Sequence, residues 1–255
     1  MQTIDINCDM GESTSLWPYH ISGDIALLPY ITAANIACGF HAGDAFTMHE
    51  LVDAALLAGV AVGAHPGFED KENFGRTNIS LSPVKIYDHI IYQLGALDAF
   101  LKINGTKLHH VKPHGALYNI AAKDAVIATA ICTAVKDYDA GLILYGLSGS
   151  ALIKIADSLQ LKSCSEVFAD RTYQEDGSLT PRSSSNALIE DEEQSVKQVT
   201  DVALYGKVKT STNKMISVKA DTVCIHSDGT HALAFAKKIH QTLIRKGIEI
   251  KPVQK

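Results

Sequence analysis

Four histidines stand directly after apolar runs of the sequence, where each run gives way to a turn. They are His41, His65, His114 and His226. Imidazole is the side chain that most readily exchanges protons near neutral pH, and it is also the commonest metal ligand in proteins. Four histidines at such positions indicate acid–base or metal-assisted chemistry.

Carboxylates and one lysine occur at the same kind of position. Asp9 and Glu12 follow the first apolar run, Lys112 follows the fourth, and Glu166 ends the sixth. Charged groups gathered at a partly buried site need partners or a ligand. Because strand ends of this kind meet at one end of a parallel α/β fold, we predict a single functional site there.

Seven short apolar segments are the candidate strands that would position these groups. They are Thr3–Cys8, Ala33–Ala37, Val60–Ala64, Lys107–Val111, Leu142–Tyr145, Lys162–Val167 and Thr222–Ile225. Their apolar residues are dense rather than cleanly alternating, which is typical of strands buried on both faces.

Helical patterns separate these strands, with apolar residues at helical spacing and recognisable ends. One helix is predicted over Thr47–Ala58, with Asp44 as a candidate N-cap and Gly59 as its stop. Another begins at Ser82-Pro83 and ends near Gly105, and the last runs from about His231 to Lys246. Alternating strands and helices indicate a parallel sheet, either wound open or closed as a barrel.

Length favours the closed form. The 255 residues, 46% of them hydrophobic, suit one large core. We predict one domain over residues 1–255: an α/β fold, specifically a seven-stranded, TIM-like (β/α) barrel. Two segments interrupt the alternation, a long polar loop at 168–187 and a small hairpin at 206–220.

Composition excludes several classes of protein. Lys and Arg total 23 against 28 Asp and Glu, a net charge of −5 without a basic run, which argues against a nucleic-acid partner. No stretch approaches the roughly 20 apolar residues of a membrane helix, and the first residues lack the apolar core of a signal peptide. We therefore expect no membrane association and a cytoplasmic location.

Cysteine usage points away from disulfides and thiolate metal sites. The count is five, which is odd, and no pair has CxxC spacing. Burial of a small apolar side chain accounts for most of them. A nucleophilic role for Cys8 or Cys38 stays open, and it would require a neighbouring base.

Five sequence blocks in order resemble one known family. They are NCDMGE, ANIACGFHAGD, GAHPGF followed by FGR, VKPHGALYN, and EVFADRTY followed by G-x-L-x-x-R. Together they resemble the LamB/YcsF family over roughly residues 4–232. The resemblance implies a barrel of the glycoside hydrolase/deacetylase type, serving as the A-type component of ATP-dependent 5-oxoprolinase. That enzyme opens 5-oxo-L-proline to L-glutamate.

Two stretches depart from the family pattern. The family's end motif resembles CVHGD, whereas this chain reads CIHSDGT at 224–230, which keeps His226 and Asp228 but displaces the glycine. In the long loop, the sequence SSSNA at 183–187 stands where the family has a glycine-containing run. The shape of the loop and its fit to substrate are the features that these departures affect.

A five-membered lactam is a resonance-stabilised amide, so its opening benefits from coupling to ATP through phosphorylation of the lactam oxygen. This chain contains no G-x-x-x-x-G-K-[ST] motif, and its glycine cluster at 146–150 lacks the lysine. ATP is therefore expected as a co-substrate of the assembled enzyme. The phosphate chemistry would belong to the B- and C-type partner subunits that the resemblance implies.

The barrel subunit would then supply acid–base groups, charge stabilisation and a clamp for the substrate carboxylate. We assign catalytic roles to Asp9, Glu12, His65, Lys112 and His114. We assign substrate binding to Asn7, Asn35, His41, Glu166, Arg171 and His226, with Arg76 as a second candidate for the carboxylate.

Within these assignments, Asp9 is predicted to be the general base, His65 and His114 to position the ring, and Lys112 to stabilise charge. Two alternatives remain open. The first is a metal-dependent amidohydrolase or deacetylase on the same barrel, with Asp9, His41, His65 and His114 as residues of the types that bind zinc. The second is a scaffold subunit without catalytic activity.

Overall fold

The protein is built around a closed barrel of seven parallel strands. The computed structural model describes residues 2–16, 18, 20–227 and 232–254. These strands are β1 (Thr3–Met10), β2 (Ala33–Ala37), β3 (Ala61–His65), β4 (His110–Val111), β5 (Ile143–Leu147), β6 (Ser163–Phe168) and β9 (Thr222–His226). Each pairs with the next, and β9 pairs with β1 to close the ring. The predicted seven-stranded barrel is confirmed.

Helices surround the barrel. They are α1 (Ile21–Leu27), α2 (Ala45–Leu57), α3 (Pro83–Ile103), α4 (Gly115–Ala121), α5 (Ala125–Tyr138), α6 (Ala151–Ser158), α7 (Glu192–Tyr205) and α8 (Ala232–Arg245). The predicted caps are confirmed, since the Asp44 side chain accepts from Thr47 N and the Ser82 side chain accepts from Lys85 N. The predicted start of α8 at His231 and the motif residue Asp228 lie outside the described residues.

Strand β1 is buried on both faces, as predicted, although its apolar and polar residues alternate. Its apolar residues Ile4 and Ile6 belong to the hydrophobic core of the protein. The alternate residues Asp5 and Asn7 are equally buried, but they contact polar groups of other barrel strands. Successive side chains of a strand point to opposite faces, so β1 presents apolar groups to the helices and polar groups to the barrel interior.

The barrel interior is narrow at its lower end. Ile143, Tyr145 and Cys164 form a small apolar cluster there with Ala33. Above them the ring of His110 occupies the place of a side chain on β3, because a Cβ added at Gly63 would lie 2.1 Å from His110 Nε2. The strand is glycine at this point so that a large polar ring fits inside the barrel.

Two segments outside the barrel lie between β6 and β9. The chain from Ala169 to Asp191 forms isolated bridges rather than regular structure, and one bridge joins Tyr173 to Thr210. Strands β7 (Lys207–Lys209) and β8 (Met215–Ser217) pair antiparallel. A further strand, β10 (Glu249–Ile250), pairs with the start of β1 and was absent from the sequence prediction.

No single helix in the described ranges combines the length and apolarity needed to cross a bilayer. Helices α4 and α5 pass that test only as a pair, and they are bent by 113° at their junction.

Candidate active site at the mouth of the barrel

A buried lysine joins the ends of several barrel strands. Lys112 Nζ lies 2.8 Å from Asp9 Oδ1 and 2.8 Å from Glu166 Oε1. It also contacts Asn7 Oδ1 at 3.1 Å and Cys224 Sγ at 3.1 Å. We call Asn7, Asp9, Lys112 and Glu166 the Lys112 cluster. Four partners for three N–H donors leave the ammonium group fully engaged with protein atoms.

Charge pairing determines the protonation of this cluster. Burial opposes ionisation of Asp9, but the charges of His65 and Lys112 outweigh it and hold the pKa of Asp9 well below its ordinary value. Burial likewise opposes the charge of Lys112, while Asp9, Cys224 and Glu166 raise the pKa of the lysine well above its ordinary value. The cluster therefore contains an ammonium ion and an ionised Asp9 at neutral pH.

Amide side chains extend this network across the barrel. Asn35 Nδ2 donates to Asn7 Oδ1 at 2.7 Å and to Asp9 Oδ1 at 2.8 Å. Asn7 Nδ2 donates to Glu166 Oε1 at 3.0 Å. Asn7 and Asn35 therefore lie inside the barrel, beneath its opening. From there their amide groups hold the carboxylates of Glu166 and Asp9 in place.

Three histidines surround one carboxylate beside the Lys112 cluster. Glu12 Oε1 lies 3.0 Å from His41 Nε2, 3.5 Å from His65 Nε2 and 2.8 Å from His114 Nδ1. His65 Nε2 and His114 Nδ1 are themselves 3.0 Å apart. We call these four residues the histidine cluster. Each is at most 6% exposed.

Glycines permit this dense arrangement of rings. A Cβ at Gly67 would lie 2.7 Å from His41 Nδ1, and a Cβ at Gly75 would lie 2.7 Å from His41 Cβ and 2.9 Å from His114 Cδ2. Gly75 also has a φ of +63°, which L side chains rarely adopt. The rings of His41 and His114 stack with centroids 3.7 Å apart.

The three imidazoles are not equivalent. Burial lowers the pKa of His41 to about 3, and the His114 ring adds to this effect. Burial also opposes the charge of His65, but Asp9 and Glu12 raise the pKa of His65 to about 9. The pKa of Glu12 lies well below its ordinary value because His114, through charge and hydrogen bonding, outweighs the cost of burial.

A fourth histidine completes the floor of the site. His226 Nδ1 lies 2.7 Å from Asp170 Oδ2, and its Nε2 lies 3.9 Å from Asp9 Oδ2. The ring stacks on Phe168 with centroids 5.6 Å apart. Burial opposes its charge, but Asp170 raises the pKa of His226 above the ordinary value.

A cleft of about 1040 Å³ opens above these groups. Asp9, Glu12, His65, Lys112, His114 and His226 line its floor. Arg76, Arg171 and Arg182 line its rim together with the loop residues Ser178–Ser183. The cleft therefore combines acid–base groups below with guanidinium groups above, which suits a small anionic substrate.

The structure brings ten of the eleven predicted site residues into one connected network. Arg171 lies apart from it at the rim, where its Nη2 donates to Thr180 O at 2.7 Å and its Nε to Ala187 O at 3.3 Å. Its guanidinium group thus fastens the long loop as well as lining the cleft. The catalytic and substrate-binding roles of these residues remain predictions.

The assignment missed three residues of the site. Tyr118 OH donates to Glu166 Oε2 at 2.7 Å, Asp170 pairs with His226, and Arg182 lines the rim. Asp170 follows the sixth strand and Tyr118 lies in the VKPHGALYN block, so both had a positional signal. Arg182 is the arginine of the G-x-L-x-x-R block, so it too had a positional signal.

Two sequence hypotheses need correction. A nucleophilic Cys8 or Cys38 is wrong, because both thiols are buried and burial raises the pKa of Cys38 to about 12 and that of Cys8 well above the ordinary value. The carboxylate among the three histidines is Glu12, not Asp9. Among the described residues, two groups of donor atoms lie close enough to hold a metal ion: the histidine cluster, and Asp9 with Cys224 and His226.

Comparison with known proteins places the chain in a family. The model of the LamB/YcsF family matches residues 4–255. A relative from Tolumonas auensis, named as the A-type component of 5-oxoprolinase, is 52% identical over 251 residues, which make up 98% of this chain and 99% of that protein.

Solved structures agree with this placement. The crystal structure of a lactam utilization protein from Thermus thermophilus superimposes with a TM-score of 0.91 at 41% identity, over 98% of this chain and 100% of that one. A family 4 carbohydrate esterase from Streptomyces lividans superimposes with a TM-score of 0.53 at 15% identity, over 99% and 93% of the two chains. The esterase match shows a shared barrel fold alone. This chain belongs to the LamB/YcsF family.

Proposed function

We propose that this chain is the barrel subunit of an ATP-dependent 5-oxoprolinase, which hydrolyses the lactam of 5-oxo-L-proline to L-glutamate together with B- and C-type partner subunits. The observation that carries the proposal is the 52% identity to the A-type component of a 5-oxoprolinase over nearly the whole of both chains. The cleft of acid–base and guanidinium groups supports it, since the substrate is a small cyclic amide with one carboxylate.

The rim of the cleft is suited to bind that carboxylate. Arg76 and Arg182 line the rim, and guanidinium groups bind carboxylates in bidentate fashion. Arg171 is less free to do so, because two of its nitrogens donate to loop carbonyl groups. A carboxylate held at the rim would direct the lactam ring toward Asp9 and His226 on the floor.

The floor offers a base and an acid on neighbouring strands. Asp9 is ionised and its Oδ2 lies on the side of His65 and His226, so we assign it the proton from the attacking water. His226, with its pKa raised by Asp170, is assigned the proton that the leaving ring nitrogen receives. Water then adds to the lactam carbon, the C–N bond breaks, and the free amine and carboxylate of glutamate form.

Lys112 acts by positioning in this scheme. Its ammonium group contacts Asp9, Glu166 and Asn7, so it orients the base and keeps it ionised. The sequence prediction gave Lys112 direct charge stabilisation of the reacting atoms. The engagement of all its donors favours the indirect role.

ATP enters through the partner subunits in this proposal. The sequence contains no phosphate-binding loop. Transfer of the terminal phosphoryl group of ATP to the lactam oxygen would release ADP and make the ring carbon a better electrophile. After water adds and the C–N bond breaks, a second water would release inorganic phosphate from the resulting acyl phosphate and leave glutamate. Arginines at the rim of the cleft are also suited to a phosphorylated lactam. The cytoplasmic location predicted from the sequence agrees with a reaction that consumes ATP.

The deciding experiment measures glutamate release from 5-oxoproline, with ATP, by this chain alone and mixed with B- and C-type subunits. We expect turnover only in the full mixture. Turnover of an N-acetylated sugar by the isolated chain without ATP would replace the proposal with the deacetylase alternative. If the B- and C-type subunits are fully active without this chain, the chain is not catalytic and the scaffold alternative replaces the proposal.

The base is tested by Asp9→Asn in the complete mixture. We expect the rate to fall at least about 10²-fold, the contribution of a positioned general base, with the complex still assembled. Asp53→Asn on the exposed face of α2 is the matched control and should keep the wild-type rate. Near-normal activity of Asp9→Asn would remove Asp9 from the mechanism.

A further inference from the structure

The tautomers of two imidazoles in the histidine cluster are determined by backbone carbonyl groups. His65 Nδ1 lies 2.7 Å from Lys112 O, and His114 Nε2 lies 2.8 Å from Phe74 O. A carbonyl oxygen only accepts hydrogen bonds, so each of these nitrogens carries a proton. In the neutral rings, the opposite nitrogens, His65 Nε2 and His114 Nδ1, therefore present lone pairs.

Those two lone pairs point at each other and at a carboxylate. His65 Nε2 and His114 Nδ1 are 3.0 Å apart, and Glu12 Oε1 lies 3.5 Å and 2.8 Å from them. Three acceptor atoms at these distances repel one another unless a positive charge lies among them. His41 Nε2, 3.0 Å from the same carboxylate oxygen, brings a fourth donor atom to the group.

The arrangement has the two features of a metal site. Histidine ligands of metals donate their outer N–H to a backbone carbonyl or carboxylate, as His65 and His114 do here. Bonds of about 2.0–2.1 Å in a tetrahedral site place ligand atoms about 3.3 Å apart. The four separations given above, 2.8–3.5 Å, fit that edge with shifts of a few tenths of an ångström, and all four donor atoms lie within 4.8 Å of one another.

We infer that Glu12, His41, His65 and His114 bind one divalent transition-metal ion of the zinc type in the floor of the cleft. Three imidazoles and one carboxylate favour such an ion over Mg²⁺ or Ca²⁺, which prefer oxygen ligands. His41 is the least constrained of the four, because its Nδ1 has no hydrogen-bond partner among the described residues.

The second donor group is a weaker candidate for the ion. In Asp9, Cys224 and His226, the carboxylate and the thiol both contact Lys112 Nζ, at 2.8 and 3.1 Å. An ammonium group at these distances already supplies the positive charge, so a metal ion there would compete with Lys112. The histidine cluster has no such lysine within contact distance in the part of the chain that the structure describes.

This inference concerns the same cleft as the proposed reaction but does not rest on it, since metal binding is measured without substrate or partner subunits. The full chain is stripped of metal with a chelator, and ZnCl₂ is titrated into it calorimetrically. Metal content after dialysis is measured by plasma mass spectrometry. We expect one ion per chain and, with CoCl₂, the intense visible absorption of tetrahedral cobalt.

Variants then assign the ligands. Glu12→Gln and His114→Gln should each weaken zinc binding about 10-fold or more, and His41→Gln should weaken it less. His226→Gln, in the second donor group, and His49→Gln, on the exposed face of α2, should keep one ion at the wild-type affinity.

Circular dichroism shows which variants are folded. If Glu12→Gln or His114→Gln fails to fold, the wild-type cobalt spectrum still decides the coordination. Failure of the wild type to bind zinc would overturn the inference and leave protons as the positive charge in the cluster. Loss of the ion in His226→Gln with retention in both Glu12→Gln and His114→Gln would overturn it as well.

Discussion

The Lys112 cluster and the histidine cluster lie side by side in the barrel mouth, yet their buried polar groups find partners in different ways. In the first, one ammonium group faces two carboxylates at 2.8 Å, so each carboxylate has a cationic partner within the protein. In the second, three imidazole nitrogens face one carboxylate oxygen, and two of those nitrogens face each other at 3.0 Å. Only in the second do neutral side chains place acceptor atoms in contact, so that cluster needs a proton or another cation.

The difference indicates that the two clusters have different roles in the site. A buried ion pair with all its hydrogen bonds made stays in one arrangement, because breaking it leaves an uncompensated charge. A group of imidazole and carboxylate donor atoms without a permanent cation can exchange its protons for a bound cation. The Lys112 cluster is therefore the framework of the site, and the histidine cluster is the part that responds to what is bound.

Removing the lysine is the strongest test of this difference in roles. Lys112→Met leaves Asp9 and Glu166 buried without their cation, and we expect the free energy of unfolding to fall by about 3–5 kcal/mol. Urea unfolding of the two proteins measures the change. Lys102→Met is the control, since that ammonium group is 72% exposed and its partner Asp98 keeps the hydroxyl of Tyr138 as a donor. A loss below about 1 kcal/mol would show that the cluster is not the framework.

Asp5, at the lower end of the same network, predicts that the free energy of unfolding depends on pH. Asp5 Oδ2 accepts from Thr222 at 2.6 Å and from Tyr145 at 3.1 Å. Burial nevertheless raises the pKa of Asp5 from 3.8 to about 6. A carboxyl group with a raised folded-state pKa contributes stability that is present below the unfolded value and lost as the pH rises through about 6.

The expected size is about 3 kcal/mol between the two extremes, since one pKa unit corresponds to about 1.4 kcal/mol. Urea unfolding of the wild type and Asp5→Asn is compared at several pH values between about 4 and 7. Other groups titrate in both proteins, so the readout is the difference between them, which should change in favour of the variant as the pH rises. A constant difference would mean that Asp5 does not titrate in this range.

Zinc should separate the two clusters directly. At a concentration of about 100 times Kd, a ligand of the folded state adds about 2.7 kcal/mol to stability. We expect this gain in the wild type and a gain smaller by about 1.3 kcal/mol or more in Glu12→Gln, measured by thermal unfolding with and without ZnCl₂. Asn7→Ser, which alters the Lys112 cluster only, should retain the gain. An equal gain in Glu12→Gln would place the ion elsewhere.

The positions of the barrel strands followed from the sequence because each is a short apolar segment between helices. Strand β2 lies where it was predicted, and β3 and β6 are displaced by one residue. The predicted Lys107–Val111 shortens to the two residues of β4, since the sequence does not show where pairing with a neighbouring strand begins. Strand β10 has only two residues, too few for a periodic pattern.

The membership of the site was predictable for a related reason, while its pairings were not. Residues at strand ends converge in any parallel barrel, which is why His65 and His226 both line the cleft. Which carboxylate lies among the histidines depends on register and loop path, and the structure selects Glu12 over Asp9. No local sequence pattern indicates the hydrogen bonds from Arg171 to the loop carbonyl groups.

Tyr118 tests how strongly the Lys112 cluster depends on an uncharged hydrogen-bond donor. Its hydroxyl donates to Glu166 Oε2 at 2.7 Å, on the opposite carboxylate oxygen from Lys112. Tyr118→Phe leaves that oxygen without this donor in a buried place, so we expect a loss of about 1.5–3 kcal/mol by urea unfolding.

Tyr138→Phe is the matched control for this last prediction. Tyr138 OH also donates to a carboxylate, Asp98 Oδ2 at 2.6 Å, but that oxygen keeps the Lys102 ammonium group at 2.9 Å and lies nearer the surface. We therefore expect a smaller loss, about 0.5–1.5 kcal/mol. Equal losses would mean that the acceptors of the Lys112 cluster depend on their partners no more than Asp98, whose lysine partner is exposed. In that case the contrast between the two clusters would rest on the lysine alone.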